Sequence, residues 1–273
     1  MTPADLDRAL DAAASRLGPF THIEFLPETG STNDVALQRA HEGAPHGTVV
    51  LADMQTTGRG RRGRAWHSPP EAGVYLSAVL RAEAWADALS LLTLAAGVAV
   101  ARAIGSATGL AVELKWPNDV VVGRPWRKLA GILSETAAAT PRVEAVVVGI
   151  GVNVRAGAFP PEIAHRATAL EIELGRPVDR IAFIIELLAA LAAVTDELRR
   201  GRGGEIVDAW RGMGGAGLGG APVRWNDGGT QRRGLARDLA ADGALLVDAG
   251  GGRLERLVAG EVIWDRLSST DDE

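Results

Sequence analysis

The chain has 273 residues, 47% of them hydrophobic and 23% charged, which is enough to bury a core over about two domains. Its formal net charge of -5 argues against a general nucleic-acid-binding protein, because such proteins usually carry a basic face. The absence of cysteine excludes disulfides, thiolate nucleophiles and Cys-ligated metal centres. Only Lys115 and Lys128 are lysines among the 29 basic residues, so arginine supplies nearly all of the positive charge.

The N-terminal twenty residues lack the basic start and apolar run of a signal peptide. The apolar stretch Leu94–Ala101 is too short to span a bilayer, and Glu186 interrupts a second stretch at residues 181–194. Both are predicted to be buried helices, and a cytoplasmic protein that does not contact a membrane is expected.

Hydrophobic periodicity predicts an amphipathic helix at residues 4–17 and then a strand at His22–Leu26. The run that begins at Ser31 is typical of an N-cap followed by a helix. Further strands are predicted at Thr48–Ala52, Gly73–Leu80, Ala111–Trp116, Asp119–Val122, Lys128–Thr136 and Arg142–Gly149. Helices are predicted at Asp87–Ile104, Pro160–Ala167 and Asp179–Arg200.

The composition changes at Gly212–Gly220, where six of nine residues are glycine, which is typical of a linker or loose loop. Short alternating segments separated by turn signals follow over Pro222–Leu267 and favour a small β-barrel or roll. The sequence therefore predicts an α+β domain at residues 1–218, with a helical extension at 1–20, and a small β domain at 219–273.

A glycine–arginine loop, Gly58–Arg64, places four cations within seven residues. Its glycines let backbone amides approach a ligand, and arginine supplies forked donors, so a clamp on phosphate or carboxylate is predicted. The loop lacks the Gly-Lys-Ser/Thr of a Walker motif. The alternative is a solvated basic loop or an RNA-contacting tract, although Trp66 nearby could stack on a base or cover a ligand.

Three further clusters suggest a ligand site, each with a structural alternative. Lys115–Asp119 is predicted to be a turn between two strands, flanked by a cation and a carboxylate. Lys128 begins the next strand, where it could simply be exposed, and Gly131 within that strand suggests close approach of a backbone or ligand. Gly149–Asn153 is either an ordinary strand end or a tight ligand wall with an amide hydrogen bond.

Together, the Ser31–Asn33 motif, Gln55 with the glycine–arginine loop, Lys115–Asp119, Lys128–Ile132 and Gly149–Asn153 resemble biotin protein ligases in order and spacing. The resemblance covers residues 25–265. It implies a class II aminoacyl-tRNA synthetase-like α+β catalytic domain followed by a small SH3-like β-barrel domain. It also implies a two-step reaction, in which biotin and ATP give biotinyl-5′-AMP and pyrophosphate, and biotin then passes to a lysine. The implied cofactors are ATP and Mg²⁺, and the implied partner is the biotin carboxyl carrier protein domain of an acyl-CoA carboxylase.

The resemblance assigns roles to individual residues. Lys128 resembles the catalytic lysine between the biotin carboxylate and the α-phosphate, a place where two unit charges ~4 Å apart repel by about 4 kcal/mol. The catalytic set is Lys128, Arg61, Lys115 and Asp119. The biotin-binding set is Ser31, Thr32, Asn33, Gln55, Arg59, Gly60, Arg61, Lys128 and Gly131. The adenylate-binding set is Arg59, Arg61, Arg62, Trp66, Lys115, Asn118 and Asn153.

Two of these residues carry additional expectations. Asn118 and Asp119 are expected nearest to Mg²⁺ or the adenylate, and Asp119 could also deprotonate the incoming amine. No residue is assigned as a metal ligand. The loop is expected to be mobile without ligand, because four close cations repel one another until an anion enters.

About 30 residues precede the Ser31–Asn33 motif, which is too few for the winged-helix domain of relatives that repress transcription. A monofunctional enzyme that does not bind operator DNA is therefore expected, as a monomer or a weak homodimer. The nearest rival is a lipoate or octanoate protein ligase, which transfers an acyl group to a similar lysine. The arginine loop and the Lys115–Asp119 cluster favour biotin.

Overall fold

The computed structural model describes residues 2–84, 88–138, 143–155, 157, 159–214, 217–258 and 260–265. The α-helices within these ranges are α1 (Pro3–Ala13), α2 (Thr32–His41), α3 (Leu92–Thr108), α4 (Pro161–Ala164), α5 (Leu170–Leu174), α6 (Arg180–Arg199) and α7 (Gly203–Met213). The strands of the larger sheet are β1 (Ile23–Thr29), β2 (Val49–Gln55), β3 (Gly73–Arg81), β4 (Glu113–Lys115), β5 (Asp119–Val122), β6 (Arg127–Ala138) and β7 (Val143–Asn153). A smaller sheet follows, with β8 (Ala221–Asp227), β9 (Thr230–Leu239), β10 (Leu245–Asp248), β11 (Leu254–Leu257) and β12 (Val262–Trp264).

The larger sheet has seven strands in the order β1-β2-β3-β7-β6-β5-β4. Only β1 and β2 pair in parallel, and α2 forms the crossover between them, as a parallel pair requires. All other neighbours in this sheet are antiparallel. This geometry brings the beginning of α2, the end of β2 and the end of β7 to one region of the sheet.

Helices cover both faces of this sheet, and the burial alternates with the strand period of two. Val49 and Leu51 belong to the main core beneath α3 and α6, whereas Val50 belongs to a smaller cluster beneath α2. On β7, Ala145 and Val147 face α2 in the same way. The α2 face and the α3 face are thus separate hydrophobic layers.

The predicted α+β body followed by a small all-β unit is confirmed, with shifts at element ends. Asp119–Val122 is a strand with the predicted bounds. The predicted helix at Asp87–Ile104 begins later, with a 3₁₀ turn at Leu89–Leu91 before α3, and residue 87 lies outside the described residues. Residue 142, the predicted start of β7, lies outside them too. The helices α5 and α7 were not predicted.

One helical span, Leu89–Thr108, is long and apolar enough to cross a membrane by length and composition. Two thirds of that window (67%) is buried inside the protein, and α3 packs between the sheet, α6 and α7. This span is therefore the central core helix, in agreement with the sequence prediction.

The five antiparallel strands of the C-terminal unit are ordered β11-β10-β9-β8-β12 and dock against the turn between β4 and β5. Trp116 of that turn donates its indole N–H to Gly243 O at 3.0 Å, and its own carbonyl accepts from the Trp264 indole at 3.3 Å. Trp264 also packs edge-on against Trp126, with ring centroids 6.0 Å apart. The two units therefore share a buried tryptophan contact beside the predicted ligand-site turn.

Candidate active site

A cavity of about 530 Å³ opens on the α2 face of the larger sheet. All of the residues that sequence analysis assigned to ligands or catalysis line it: Ser31, Thr32, Asn33, Gln55, Arg59, Gly60, Arg61, Arg62, Trp66, Lys115, Asn118, Asp119, Lys128, Gly131 and Asn153. The structure thus gathers motifs up to 122 positions apart (residues 31 to 153) into one site, while their individual roles stay predictions. Gly260 and Glu261 of the C-terminal unit line the cavity too.

Glycines form the floor of this cavity where two neighbouring strands would otherwise present side chains. Gly131 on β6 lies opposite Gly151 on β7. A Cβ at Gly151 would lie 2.5 Å from Trp66 Nε1, and one at Gly131 would lie 3.2 Å from Lys128 Nζ. A Cβ at Gly149 would overlap the Asn33 side chain. The groups that approach these glycines are the protein's own side chains, whereas sequence analysis expected a backbone or a ligand at Gly131.

The beginning of α2 is held by a side chain from β2. Ser31 occupies the N-cap position with extended backbone, as predicted, but its hydroxyl makes no capping hydrogen bond. Instead, Gln55 Oε1 accepts from the Thr32 backbone N–H at 2.8 Å and from its hydroxyl at 3.1 Å. Gln55 Nε2 donates to Ser68 Oγ at 2.9 Å. Gln55 thus orients α2 through its side-chain carbonyl, whereas sequence analysis had assigned it to biotin alone.

Asn33 is fixed from three directions. Its Nδ2 donates to Leu133 O at 3.2 Å and to Glu135 Oε2 at 2.7 Å, while its Oδ1 accepts from Ser77 Oγ at 2.6 Å. Ser77 Oγ also lies 2.8 Å from Thr32 Oγ1, so its single proton has two possible acceptors. Sequence analysis missed Ser77 and Glu135, because each reaches the site through pairing across the sheet.

Arginines of the loop are paired with carboxylates. Arg59 Nη2 lies 2.5 Å from Asp34 Oδ1 and 3.0 Å from Glu135 Oε2. Arg62 Nη1 lies 3.0 Å from Glu261 Oε2, and Arg64 pairs with the other oxygen of the same carboxylate. The expectation of cations that repel one another therefore differs from the structure, because carboxylates from α2, β6 and the C-terminal unit offset their charge.

Arg61 has a different environment from its neighbours in the loop. Its Nη1 donates to Asn118 Oδ1 at 3.3 Å and its Nη2 donates to Gly260 O at 3.1 Å. Burial lowers the pKa of the Arg61 guanidinium, and the charge of Arg62 acts in the same direction. Arg62 itself has φ of 58°, a left-handed conformation that costs a non-glycine residue roughly 1–2 kcal/mol.

Lys128 lies at the centre of the polar side of the cavity. Its Nζ is 2.5 Å from Asp119 Oδ1 and 5.4 Å from the centroid of the Trp66 ring, a cation–π distance. The Trp66 indole N–H is buried and has no hydrogen-bond partner among the residues that the structure describes. The site therefore presents a half-exposed ammonium, a carboxylate and an indole donor within one wall.

The remaining predicted residues are placed by the β4–β5 turn and by the end of β7. Asn118 donates from Nδ2 to Ile132 O at 2.8 Å, which ties the turn to β6. Asn153 donates from Nδ2 to Thr168 O at 2.9 Å, so this amide is bonded to protein rather than presented freely. Lys115 lines the cavity beside them.

A magnesium ion requires several oxygen ligands in octahedral geometry. Among the described residues, no three His, Cys, Asp or Glu side chains cluster as a metal site. Asp119 is already paired with Lys128, and Asn118 Oδ1 accepts from Arg61. These residues do not fit a metal ion held by the protein alone.

Comparison with known proteins agrees with this arrangement. A model of the biotin/lipoate A/B protein ligase family matches residues 25–153, and a model of the biotin protein ligase C-terminal domain matches residues 218–264. The chain is 37% identical over 247 residues to the biotin--[acetyl-CoA-carboxylase] ligase of Paracoccus denitrificans, which covers 88% of this chain and 99% of that protein.

Two more relatives extend the comparison. The bifunctional ligase/repressor BirA of Bacillus subtilis is 40% identical over 169 residues, or 61% of this chain, and the chain spans about half (51%) of that protein. The structure of the Aquifex aeolicus biotin protein ligase in complex with biotin and ATP superimposes with a TM-score of 0.78 at 28% identity, covering 90% of this chain and 100% of the other. With both family domains matched in order around a site of this composition, the chain belongs to the family of biotin protein ligases.

Proposed function

We propose that the protein is an ATP-dependent biotin protein ligase, which activates biotin as biotinyl-5′-AMP and transfers it to a lysine of a biotin carboxyl carrier protein domain. Family membership supports this proposal, as do the names of the relatives and the biotin and ATP in the Aquifex aeolicus complex. The single observation that carries it is the position of Lys128 in the cavity wall, beside Asp119 and beneath the arginine loop.

In the first step, a biotin carboxylate oxygen attacks the α-phosphorus of ATP, forming a C–O–P linkage as the bond to the β-phosphate oxygen breaks and pyrophosphate leaves. Both reactants are anions, so the barrier falls when fixed cations stabilise the charge that develops on the phosphoryl oxygens. We assign Lys128 to hold the carboxylate against the α-phosphate, and Arg59 and Arg61 to close over both. Lys115 meets the remaining phosphate oxygens.

In the second step, the neutral ε-amine of the acceptor lysine attacks the acyl carbon, the C–O bond to the phosphate breaks, and AMP leaves. The ammonium that forms then loses its proton to solvent or to a nearby base. Asp119 is a candidate for that base. Because Asp119 is paired with Lys128, the bound ligand must first draw the Lys128 ammonium away from it. No enzyme nucleophile is needed.

On the polar wall, Trp66 and Asn118 are assigned to the adenylate and Asn153 to the edge of its subsite. On the α2 side, Ser31, Thr32 and Asn33 are assigned to biotin. Mg²⁺ is expected to arrive with the triphosphate of ATP, as part of the nucleotide substrate. We further propose an acyl-CoA carboxylase carrier domain as the partner, a cytoplasmic location, a domain boundary at residue 218, and a monomer or weak homodimer without operator DNA binding.

The decisive experiment is biotin-dependent ATP–pyrophosphate exchange with wild type, Lys128→Ala and Lys128→Arg. Removing one preorganised cation from a charge-developing centre costs about 10²–10³ in rate, so a loss of at least about 100-fold is expected for Lys128→Ala. Lys128→Arg should recover little, because a planar guanidinium differs in shape and hydration from an ammonium and the Gly131 floor is close. Full exchange in Lys128→Ala would contradict the assigned role.

A matched control is Arg199→Ala, which removes a cation from the exposed end of α6, where its ion-pair partner within the described part of the chain is Asp196 of the same helix. Its exchange rate should equal that of wild type.

The rival substrate, lipoate, is tested by the shift in melting temperature on adding biotin or lipoate. A larger shift with lipoate would reverse the choice.

A further inference from the structure

The backbone of Lys128 is held by a short segment that belongs to neither neighbouring strand. This segment, residues 166–168, is called the strap. The Lys128 N–H donates to Arg166 O at 2.7 Å, and the Lys128 carbonyl accepts from the Thr168 N–H at 2.9 Å. An isolated parallel bridge joins Lys128 to Ala167. Both backbone polar groups of Lys128 are thus satisfied by the strap.

The strap takes the place that β7 leaves open. Along β6, the pairing with β7 begins at Ala130, opposite Val152, and β7 ends one residue later at Asn153. Lys128 therefore has no β7 residue beside it. The Asn153 side chain donates to Thr168 O at 2.9 Å, which joins the end of β7 to the strap.

A bulge in β6 explains why this support is needed. In the pairing with β5, Val120 lies opposite Ala130 but Val121 lies opposite Lys128, so Leu129 is an extra residue. Leu129 and Ala130 both lie in the main core. Without the bulge, the period of two would direct Lys128 to the core face with Ala130; with it, Lys128 shares the cavity face with Gly131.

The strap is anchored at Thr168, which is fully buried. Its hydroxyl donates to Glu173 of α5, and the same carboxylate lies 3.0 Å from Arg127, the residue before Lys128. Thr168, Glu173 and Arg127 therefore close a ring of bonds through the backbone of Lys128, directly beside the bulge.

We infer that Thr168 is a positioning residue for Lys128: through the strap, it maintains the bulge that directs the ammonium into the cavity. The readout of this inference rests on the proposed biotin activation, in which a displacement of about 1 Å of a catalytic group can cost 10²-fold in rate. Asn153, which sequence analysis assigned to the adenylate, acts in the same arrangement as a brace of the strap.

The variants are Thr168→Val, which removes the hydroxyl at similar volume, and Thr168→Ser, which keeps it. Thr195→Val is the matched control, because Thr195 is a buried threonine of α6 whose hydroxyl donates to Leu191 O, away from the cavity. Single-turnover formation of biotinyl-5′-AMP should be slower by about tenfold or more in Thr168→Val, with the KM for biotin changed little. Thr168→Ser should recover most of the rate, and Thr195→Val should match wild type.

Two further readouts separate positioning from general destabilisation. Thr168→Val combined with Lys128→Ala should be no slower than Lys128→Ala alone, because a misplaced ammonium matters only when the ammonium is present. Independently of activity, amide hydrogen exchange of a peptide spanning residues 127–131 should be faster in Thr168→Val than in Thr195→Val.

The outcomes overturn different claims. If wild type forms no biotinyl-5′-AMP, the proposed function fails, and hydrogen exchange alone then decides whether Thr168 holds the Lys128 backbone. If amide hydrogen exchange at residues 127–131 is unchanged in Thr168→Val, the inference is overturned. Multiplying losses in the double variant, or a failure of Thr168→Ser to recover the rate, overturns it as well.

Discussion

Glu261 is the carboxylate through which the C-terminal unit holds the arginine loop, and replacing it by glutamine should loosen that loop. Glu261 pairs with Arg62 and with Arg64, and Arg62 carries the left-handed backbone that needs outside support. The substitution Glu261→Gln keeps the side-chain volume while removing the charge. The rest of the loop closure is unaffected, since Gly60 N–H still donates to Arg64 O at 2.7 Å.

The expected magnitude follows from the exposure of the pairs. The side chains of Arg62, Arg64 and Glu261 are 53%, 62% and 33% exposed, so solvent screens both interactions. Exposed ion pairs contribute about 0.2–1 kcal/mol each, which gives about 0.4–2 kcal/mol for the two. At 1.36 kcal/mol per factor of ten, the equilibrium constant for loop opening should rise roughly 2- to 30-fold.

Limited trypsin digestion measures this opening, because the loop offers arginine cleavage sites between residues 58 and 64. Cleavage of Glu261→Gln should be faster than cleavage of wild type by the factor above, and the difference should shrink in high salt. Biotin plus ATP should protect both proteins. The matched control is Glu255→Gln, which removes the pair with Arg232 in the same unit and should leave loop cleavage unchanged. Equal cleavage of Glu261→Gln and wild type would refute the holding role.

Three more predictions concern packing, pH and the products of turnover. Gly151→Ala should lower the free energy of unfolding in urea by about 1–3 kcal/mol, because the new methyl would lie 2.5 Å from Trp66 Nε1. Gly105→Ala should raise that free energy by about 1 kcal/mol, since nothing lies within 4 Å of that helical position, and a destabilised variant would count against this account. Burial lowers the pKa of His46, so the unfolded state binds more protons than the folded state. The free energy of unfolding should therefore fall as the pH drops below about 6.5. The substitution His46→Gln should flatten this pH dependence, and an unchanged slope would contradict the explanation. The sequence contains only two lysines, so the reactive adenylate has almost no acceptor amines on the enzyme itself, and mass spectrometry after prolonged turnover should show little self-biotinylation. Abundant modification would disprove this expectation.

Periodic and turn signals were sufficient to predict most of the fold. Asp119–Val122 follows from its three consecutive β-branched valines beside a turn, and the long apolar helix α3 follows from its composition. The helix α7 was missed because it begins with Gly203 and Gly204 and runs into a glycine-rich stretch, a composition that favours loops. Its helical state comes from tertiary packing of Ile206 and its neighbours, which local propensity does not report.

The residues of the candidate site likewise fall into those that the sequence could identify and those that it could not. Residues that lie within compact motifs, such as those of the arginine loop, could be selected from sequence because several chemical groups occur together. Ser77, Thr168 and Glu261 could not, since each is a single polar residue with a partner far along the chain. Ser77 bonds to Thr32, 45 positions away, and Glu261 pairs with Arg62, 199 positions away. Thr168 pairs locally with Glu173, but its backbone N–H bonds to Lys128 of a distant strand. A buried serine on an apolar strand is the one signal that could have drawn attention to Ser77.

The carboxylates around the arginine loop determine which anions can enter it. Asp34 and Glu135 already hold Arg59, and Glu261 holds two of its neighbours. An incoming anion therefore replaces a carboxylate that is part of the protein, and its binding free energy is the difference between two similar ion-pair energies. That difference is close to zero for a monovalent ion such as chloride. A triphosphate carries several negative charges, so a single molecule can replace several carboxylates at once. The loop thus selects anions by the number of their charges as well as by the sign of the charge. Small monovalent anions of the cell are therefore expected to compete weakly with a polyanion for binding to the loop.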